Sequence, residues 1–189
     1  DPILDALALP TRMAITMGEQ EGVERQLERL AEALAGGLRL IQVRDKGWPP
    51  AQRLWFAEAV VRLARTHGAL VVINDDEAIA RRVDADGIHL SAASLAACSA
   101  RPPFRRVGAS CHTAAELARA GELGLDYALL GPVLATPTHP EAAGLGWDEF
   151  ARLIAGSPLP VFALGGMKND LLATAQAHGA HGIALMRGW

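Results

Sequence analysis

Groups able to hold and neutralise a phosphorylated ligand recur along this chain in short clusters. They are Gln42, Arg44 and Lys46; Asn74 and Asp75; His89 and Ser94; Ser110 and His112; Thr136, Thr138 and His139; and, near the end, Arg187. Most are cations, amides or hydroxyls, the donors that phosphate oxygens take, and Asp75 is the only carboxylate expected to follow its strand directly. In DYALLGPVLATPTHP, residues 126–140, a short apolar run empties into a loop. There Gly131 permits close backbone approach, and Pro132 and Pro137 stiffen the path beside the two threonines and His139. Gly165 and Gly166 fall between a strand and the helix expected after it, which predicts exposed backbone amides at a helix start and a ready phosphate site. Each cluster also has a plainer reading. Arg44 and Lys46 could be a solvated pair, Asn74 and Asp75 could cap a helix, and the threonine loop could be a polar turn. His89, inside an apolar strand, reads better as a hydrogen-bonded core histidine than as a metal ligand, and Cys111 as a small buried side chain.

These clusters form a site only if the fold gathers them. Short apolar runs predict strands over 13–16, 38–43, 69–73, 87–90, 107–110, 127–130, 161–164 and 182–185, several of them buried on both faces. Helical spacing places helices over 20–34, 49–66, 77–82, 92–99, 113–123, 147–155 and 169–178, with a helical lead over 3–9. Strict alternation of strand and helix means a parallel sheet with right-handed crossovers. Eight repeats favour a closed (β/α)8 TIM-type barrel, because the open doubly wound alternative would want a glycine fingerprint after its first strand. All of residues 1–189 are expected to form this single domain. The chain is short beside the about 250 residues typical of such barrels, and it stops soon after the eighth strand. The barrel is therefore expected without its last helix, that surface being covered by the lead or by a second copy of the chain. In a barrel the active groups sit at the carboxyl ends of the strands, where every cluster above falls.

Composition narrows the class. A chain that is 50% hydrophobic is not disordered, and a net charge of -3 with no basic run among aromatics argues against nucleic acid as a partner. The two cysteines, Cys98 and Cys111, fit neither a disulfide framework nor a zinc site, so a reducing, cytoplasmic setting is expected. No apolar run reaches the roughly 18 residues of a membrane span, and the acidic start is not a signal peptide, so no membrane partner is expected.

Six motifs in order, IQVRDK (41–46), IND (73–75), ADGIHL (85–90), VGASCHT (107–113), DYALLGPVLATPTH (126–139) and PVFALGG (160–166), resemble those of the thiamine phosphate synthase and thiazole tautomerase superfamily. The resemblance runs nearly end to end. It implies a magnesium-dependent transferase of thiamine biosynthesis, joining a pyrimidine methyl diphosphate to a thiazole phosphate with loss of pyrophosphate. Carried over, Gln42, Arg44, Lys46 and Asn74 would hold the diphosphate and Asp75 the Mg2+. Ser110 would meet the pyrimidine, and Thr136, Pro137, Thr138, Gly165 and Gly166 would place the thiazole phosphate. Arg44, Lys46, Asp75 and His139 would be the catalytic group, with Arg187 beside the phosphate. Three positions depart from the synthase pattern: Ser94 stands for a second metal carboxylate, His139 for a lysine, and Arg187 for a small serine. Because these changes touch the charge arrangement, a non-catalytic module binding a thiamine-related phosphate is the alternative. A tautomerase-like isomerase is another, although Pro132 occupies the position of its catalytic histidine and leaves His112 and His139 as neighbouring proton carriers. The sequence style, with GLGW at 144–147, is similar to the synthase-like domain fused behind a Nudix hydrolase in some bacteria, which implies such a fusion partner.

Overall fold

Eight strands, every one short and apolar, pair in parallel and in sequence order into a closed barrel. They are β1 (Arg12–Ile15), β2 (Leu40–Val43), β3 (Leu70–Asn74), β4 (Gly87–Leu90), β5 (Arg106–Cys111), β6 (Tyr127–Leu130), β7 (Val161–Ala163) and β8 (Gly182–Leu185). Closure is made by β1 against β8, with Met13 opposite Ala184. The computed structural model describes residues 9–136 and 143–189, so most of the expected helical lead and Pro137, Thr138 and His139 lie outside the described residues.

Between the strands run α1 (Gly18–Glu21), α2 (Val23–Ala35), α3 (Pro50–Arg65), α4 (Glu77–Arg82), α5 (Ala92–Ala97), α6 (Ala114–Glu122), α7 (Gly146–Ile154) and α8 (Leu172–Ala177). The helix expected over 20–34 is broken in two, because Gly22 at φ +90 turns the chain and the buried Gln26 side chain accepts the Met17 amide at 2.9 Å. The last helix is shorter than expected and opens with a 3-10 turn, Asn169–Leu171. Among the described residues no helix follows β8; Trp189 folds back and its indole N–H donates to the carbonyls of Ile15 and Met186. No described helix is long and apolar enough to cross a membrane.

The strands are buried on both faces for two different reasons. Ala14, Ile41, Val71, Ile88, Val107, Ala128, Val161 and Ile183 face the helices. Met13, Ile15, Leu40, Tyr127, Leu129, Phe162 and Ala184 fill the barrel. With a side-chain period of two, Gln42 and Asn74 continue the inward row at the carboxyl ends of β2 and β3, above a plug of apolar side chains.

Candidate functional site

The upper lining of the barrel is polar on one side only. Gln42, Asn74, His89 and Ser110 come from the four successive strands β2 to β5, whereas Leu164 and Met186, just past β7 and β8, pack on the apolar barrel interior. Gln42 is 1% exposed, yet its amide finds only the Met13 sulfur, at 3.5 Å. Asn74 is 9% exposed and its side chain makes no hydrogen bond among the described residues. Gln42 thus has one weak partner and Asn74 none among the described residues, while neither leaves a fully buried side-chain atom unpaired, so both amides are open to a ligand at the barrel mouth. His89 has its partners: Nδ1 lies 2.9 Å from the Tyr127 hydroxyl and Nε2 2.8 Å from Ser110 Oγ. Burial above all pushes its pKa down to about 3, with Asp75 opposing and Arg44 assisting, so the ring is neutral and holds no charge for catalysis. The core-histidine reading is the one the structure bears out.

Arg44 and Lys46 leave the end of β2 on a loop held by a residue the sequence did not single out. Asp45 is 5% exposed; its carboxylate accepts the Thr16 hydroxyl at 2.6 Å and the Glu19 amide at 2.9 Å. Thr16 Oγ1 in turn accepts the Arg44 amide at 3.0 Å, and Glu19 Oε1 accepts the Gly47 amide at 2.6 Å. Asp75 alone directly follows its strand, but a second carboxylate, two residues beyond β2, stands between the two cations, turned inward to join the loops after β1 and β2. Arg44 is half-buried and Lys46 exposed, and among the described residues neither enters an ion pair. Their loop backbone is held, and their charges have no ion-pair partner among the described residues.

Asp45 makes its own pH test. Burial raises its carboxyl pKa, and the bonds from Thr16 and Glu19 oppose this only in part. The folded protein then binds the Asp45 proton more readily than the unfolded chain. This stabilisation is full below the ordinary aspartate range and is lost as pH rises through the raised value. Denaturant titrations of the protein and Asp45→Asn at pH 4 and pH 7 should show the balance moving toward the variant at the higher pH. A difference independent of pH would refute the assignment.

Asp75, at the end of β3, adopts φ 56, a conformation rare outside glycine, and its amide donates to the His89 carbonyl at 2.8 Å. Its Oδ1 accepts the Ser91 amide at 2.8 Å, which leaves Oδ2 facing outward. The helix-capping alternative belongs instead to Asp76, whose Oδ1 accepts the Ile79 amide at 3.0 Å while Oδ2 pairs with Arg53 at 2.9 Å. Asn74 and Asp75 are thus spared for the barrel mouth. Ser94 is held by Ser91, the cap of α5, with 3.1 Å between the two hydroxyls.

The loops after β6 and β7 are locked together. Val133 and Leu134 donate to the carbonyls of Leu164 and Gly165 at 2.8 and 3.2 Å. Gly165 (φ +101) and Gly166 (φ +66) need their glycines twice over, since a Cβ would come within 2.6 Å of Pro132 Cα or 2.8 Å of Leu134 Cβ. The helix-start expectation for this pair is corrected, because the first helical turn begins only at Asn169. The amides of Gly165, Gly166 and Met167 nevertheless donate to no backbone oxygen among the described residues. Thr136 is half-buried at the end of the neighbouring loop. Arg187 is exposed, so it does not fill the barrel, and His112 is exposed against Glu116 with Nδ1 at 3.6 Å.

A family model described as "Thiamine monophosphate synthase" matches residues 13–189. The chain is 40% identical over 165 residues to the thiamine-phosphate synthase of Thermobifida fusca, covering 85% of this chain and 76% of that one. It is 35% identical over 179 residues to that of Thioalkalivibrio sulfidiphilus, covering 93% and 85%. Several other curated relatives are longer, and the chain spans 48% or 49% of their length. Among solved structures, thiamine phosphate pyrophosphorylase from Pyrococcus furiosus superposes with a TM-score of 0.77 at 27% identity, covering 93% of this chain and 85% of that one.

Proposed function

Because the chain belongs to the thiamine monophosphate synthase family, we propose that its barrel mouth makes thiamine phosphate from a hydroxymethylpyrimidine diphosphate and a thiazole phosphate. The observation that carries the assignment of roles is the half-buried Arg44, in no ion pair among the described residues, sharing a cleft with Asn74, whose side chain makes no hydrogen bond among them. In the reaction the C–O bond to the diphosphate breaks and pyrophosphate leaves with the electron pair. The lone pair of the thiazole nitrogen then captures the pyrimidinylmethyl cation and forms the C–N bond. Arg44 and Lys46 neutralise the charge growing on the leaving group, and Gln42 and Asn74 orient the diphosphate substrate. Ser110 meets the pyrimidine. Thr136, Pro137 and Thr138, together with the Gly165 and Gly166 amides that donate to no backbone oxygen among the described residues, place the thiazole phosphate, with the exposed Arg187 beside it.

The residues fit a magnesium ion held mainly by substrate. Among the described residues no group of three or more His, Cys, Asp or Glu could hold a metal, but Asp75 presents a free carboxylate oxygen. Magnesium needs only one or two carboxylates when phosphate oxygens and water complete its shell. Bound there, it would add positive charge against the pyrophosphate. Ser94 supplies a neutral hydroxyl beside it.

The test is product formation, followed by mass spectrometry, from the two substrates across a magnesium series. Thiamine phosphate should form, and Ser94→Asp should lower the magnesium needed for half-maximal rate by about tenfold, the scale of one added charged ligand. No product from the protein, but product from Ser94→Asp combined with His139→Lys, would instead identify a phosphate-binding module. We further propose a cytoplasmic setting from the cysteine usage and a fused Nudix hydrolase from the sequence style.

A further inference from the structure

The polar side of the barrel contains a hydrogen-bonded chain whose direction can be read from its buried end. Tyr127 is 1% exposed, and its hydroxyl has one partner among the described residues, His89 Nδ1. Its ring reaches under His89 because β5 carries Gly108 there; a Cβ at that position would fall inside the tyrosine ring. Burial pushes the tyrosine pKa up and the histidine pKa down, so the phenol keeps its proton and the imidazole carries a single N–H. Two arrangements remain. With the imidazole proton on Nδ1, the phenol would accept it and its own O–H would be buried with no acceptor. With the proton on Nε2, the phenol donates to Nδ1, Nε2–H donates to Ser110 Oγ, and every buried proton has a partner. The second arrangement is favoured by about tenfold or more, because leaving a buried donor unmade is costly.

We propose that Tyr127 and His89 are positioning residues that fix the polarity of Ser110, making its hydroxyl a hydrogen-bond donor into the barrel mouth. One Ser110 lone pair is taken by Nε2–H rather than the Ser110 proton by Nε2, so that proton is released to a ligand, beside the second lone pair. The site then suits a pyrimidine that offers a ring-nitrogen acceptor to the Ser110 proton. This second statement rests on the synthase reading; the direction of the chain does not.

Two experiments separate these statements. Multiple-bond 1H–15N spectra of the protein at pH 7, with the His89 signals assigned by His89→Gln, should show a neutral ring protonated on Nε2. A ring protonated on Nδ1, or an imidazolium, overturns the relay whatever the protein catalyses. Tyr127→Phe keeps the ring that packs over Gly108 but removes the terminal donor. It should raise KM for the pyrimidine diphosphate by about tenfold while leaving KM for the thiazole phosphate unchanged. In a Ser110→Ala background the same substitution should add nothing. Losses that multiply in the double variant, or that fall equally on both substrates, overturn the positioning role. An Nε2–H ring in a protein that makes no thiamine phosphate would leave the relay standing and sink the synthase reading.

Discussion

Arg44→Ala should lower thiamine phosphate formation by about 10²–10³-fold, the loss seen when a fixed charge or donor is removed from a developing anion. Its stability should change little. Arg44 is tied into the fold through its backbone amide, which donates to Thr16 Oγ1 at 3.0 Å and survives truncation of the side chain. The guanidinium is half-buried, in no ion pair among the described residues, and close enough to His89 to depress that ring's pKa. An unpaired cation at a partly desolvated wall adds no bond to the folded state, so its presence is explained by what binds there. The substitution should therefore shift the denaturation midpoint by no more than an ordinary surface change, within about 0.5 kcal/mol, while kcat falls. A variant that melts early yet turns over normally when folded would count against this role. Rescue by added guanidinium ion, partial and dependent on its concentration, would support it.

Much of the barrel was legible because its rule is simple. Strands buried on both faces are short apolar runs, and eight of them separated by helical spacing leave few alternatives. The cations and amides at 42, 44, 46 and 74 were legible too, since they fall just inside or beyond strand ends. What escaped were features set by direction rather than residue type. Asp45 lies between Arg44 and Lys46 and looks like part of the same charged turn; nothing local says that it points inward to Thr16 and the Glu19 amide. Three consecutive residues, Asn74, Asp75 and Asp76, could each have capped α4, and only the backbone shows that Asp76 does. The partner of His89 is 38 residues away, across two strands, and the glycine that admits it lies on the strand between.

Gly165, expected at a helix start, instead sits where the loops after β6 and β7 meet, and it carries the second large effect. Gly165→Ala should destabilise the protein by about 2–5 kcal/mol, combining left-handed strain with overpacking against a neighbour that cannot retreat. The strain comes from φ +101, and the overpacking from a Cβ placed 2.6 Å from Pro132 Cα and 2.9 Å from the Val133 nitrogen. These obstacles are backbone and a proline, held by the Val133 amide on the Leu164 carbonyl and by the Leu145 amide on the Pro132 carbonyl. Relief therefore requires the β6 and β7 loops to part. The same movement would disturb the Gly165 and Gly166 amides, which donate to no backbone oxygen among the described residues, so a folded remnant should lose affinity for thiazole phosphate more than for the pyrimidine diphosphate. Urea titration reads the first effect and calorimetry with each substrate the second. Equal weakening of both substrates would mean that the glycine serves the barrel as a whole; selective weakening of the thiazole side would place the phosphate in the seam between these two loops.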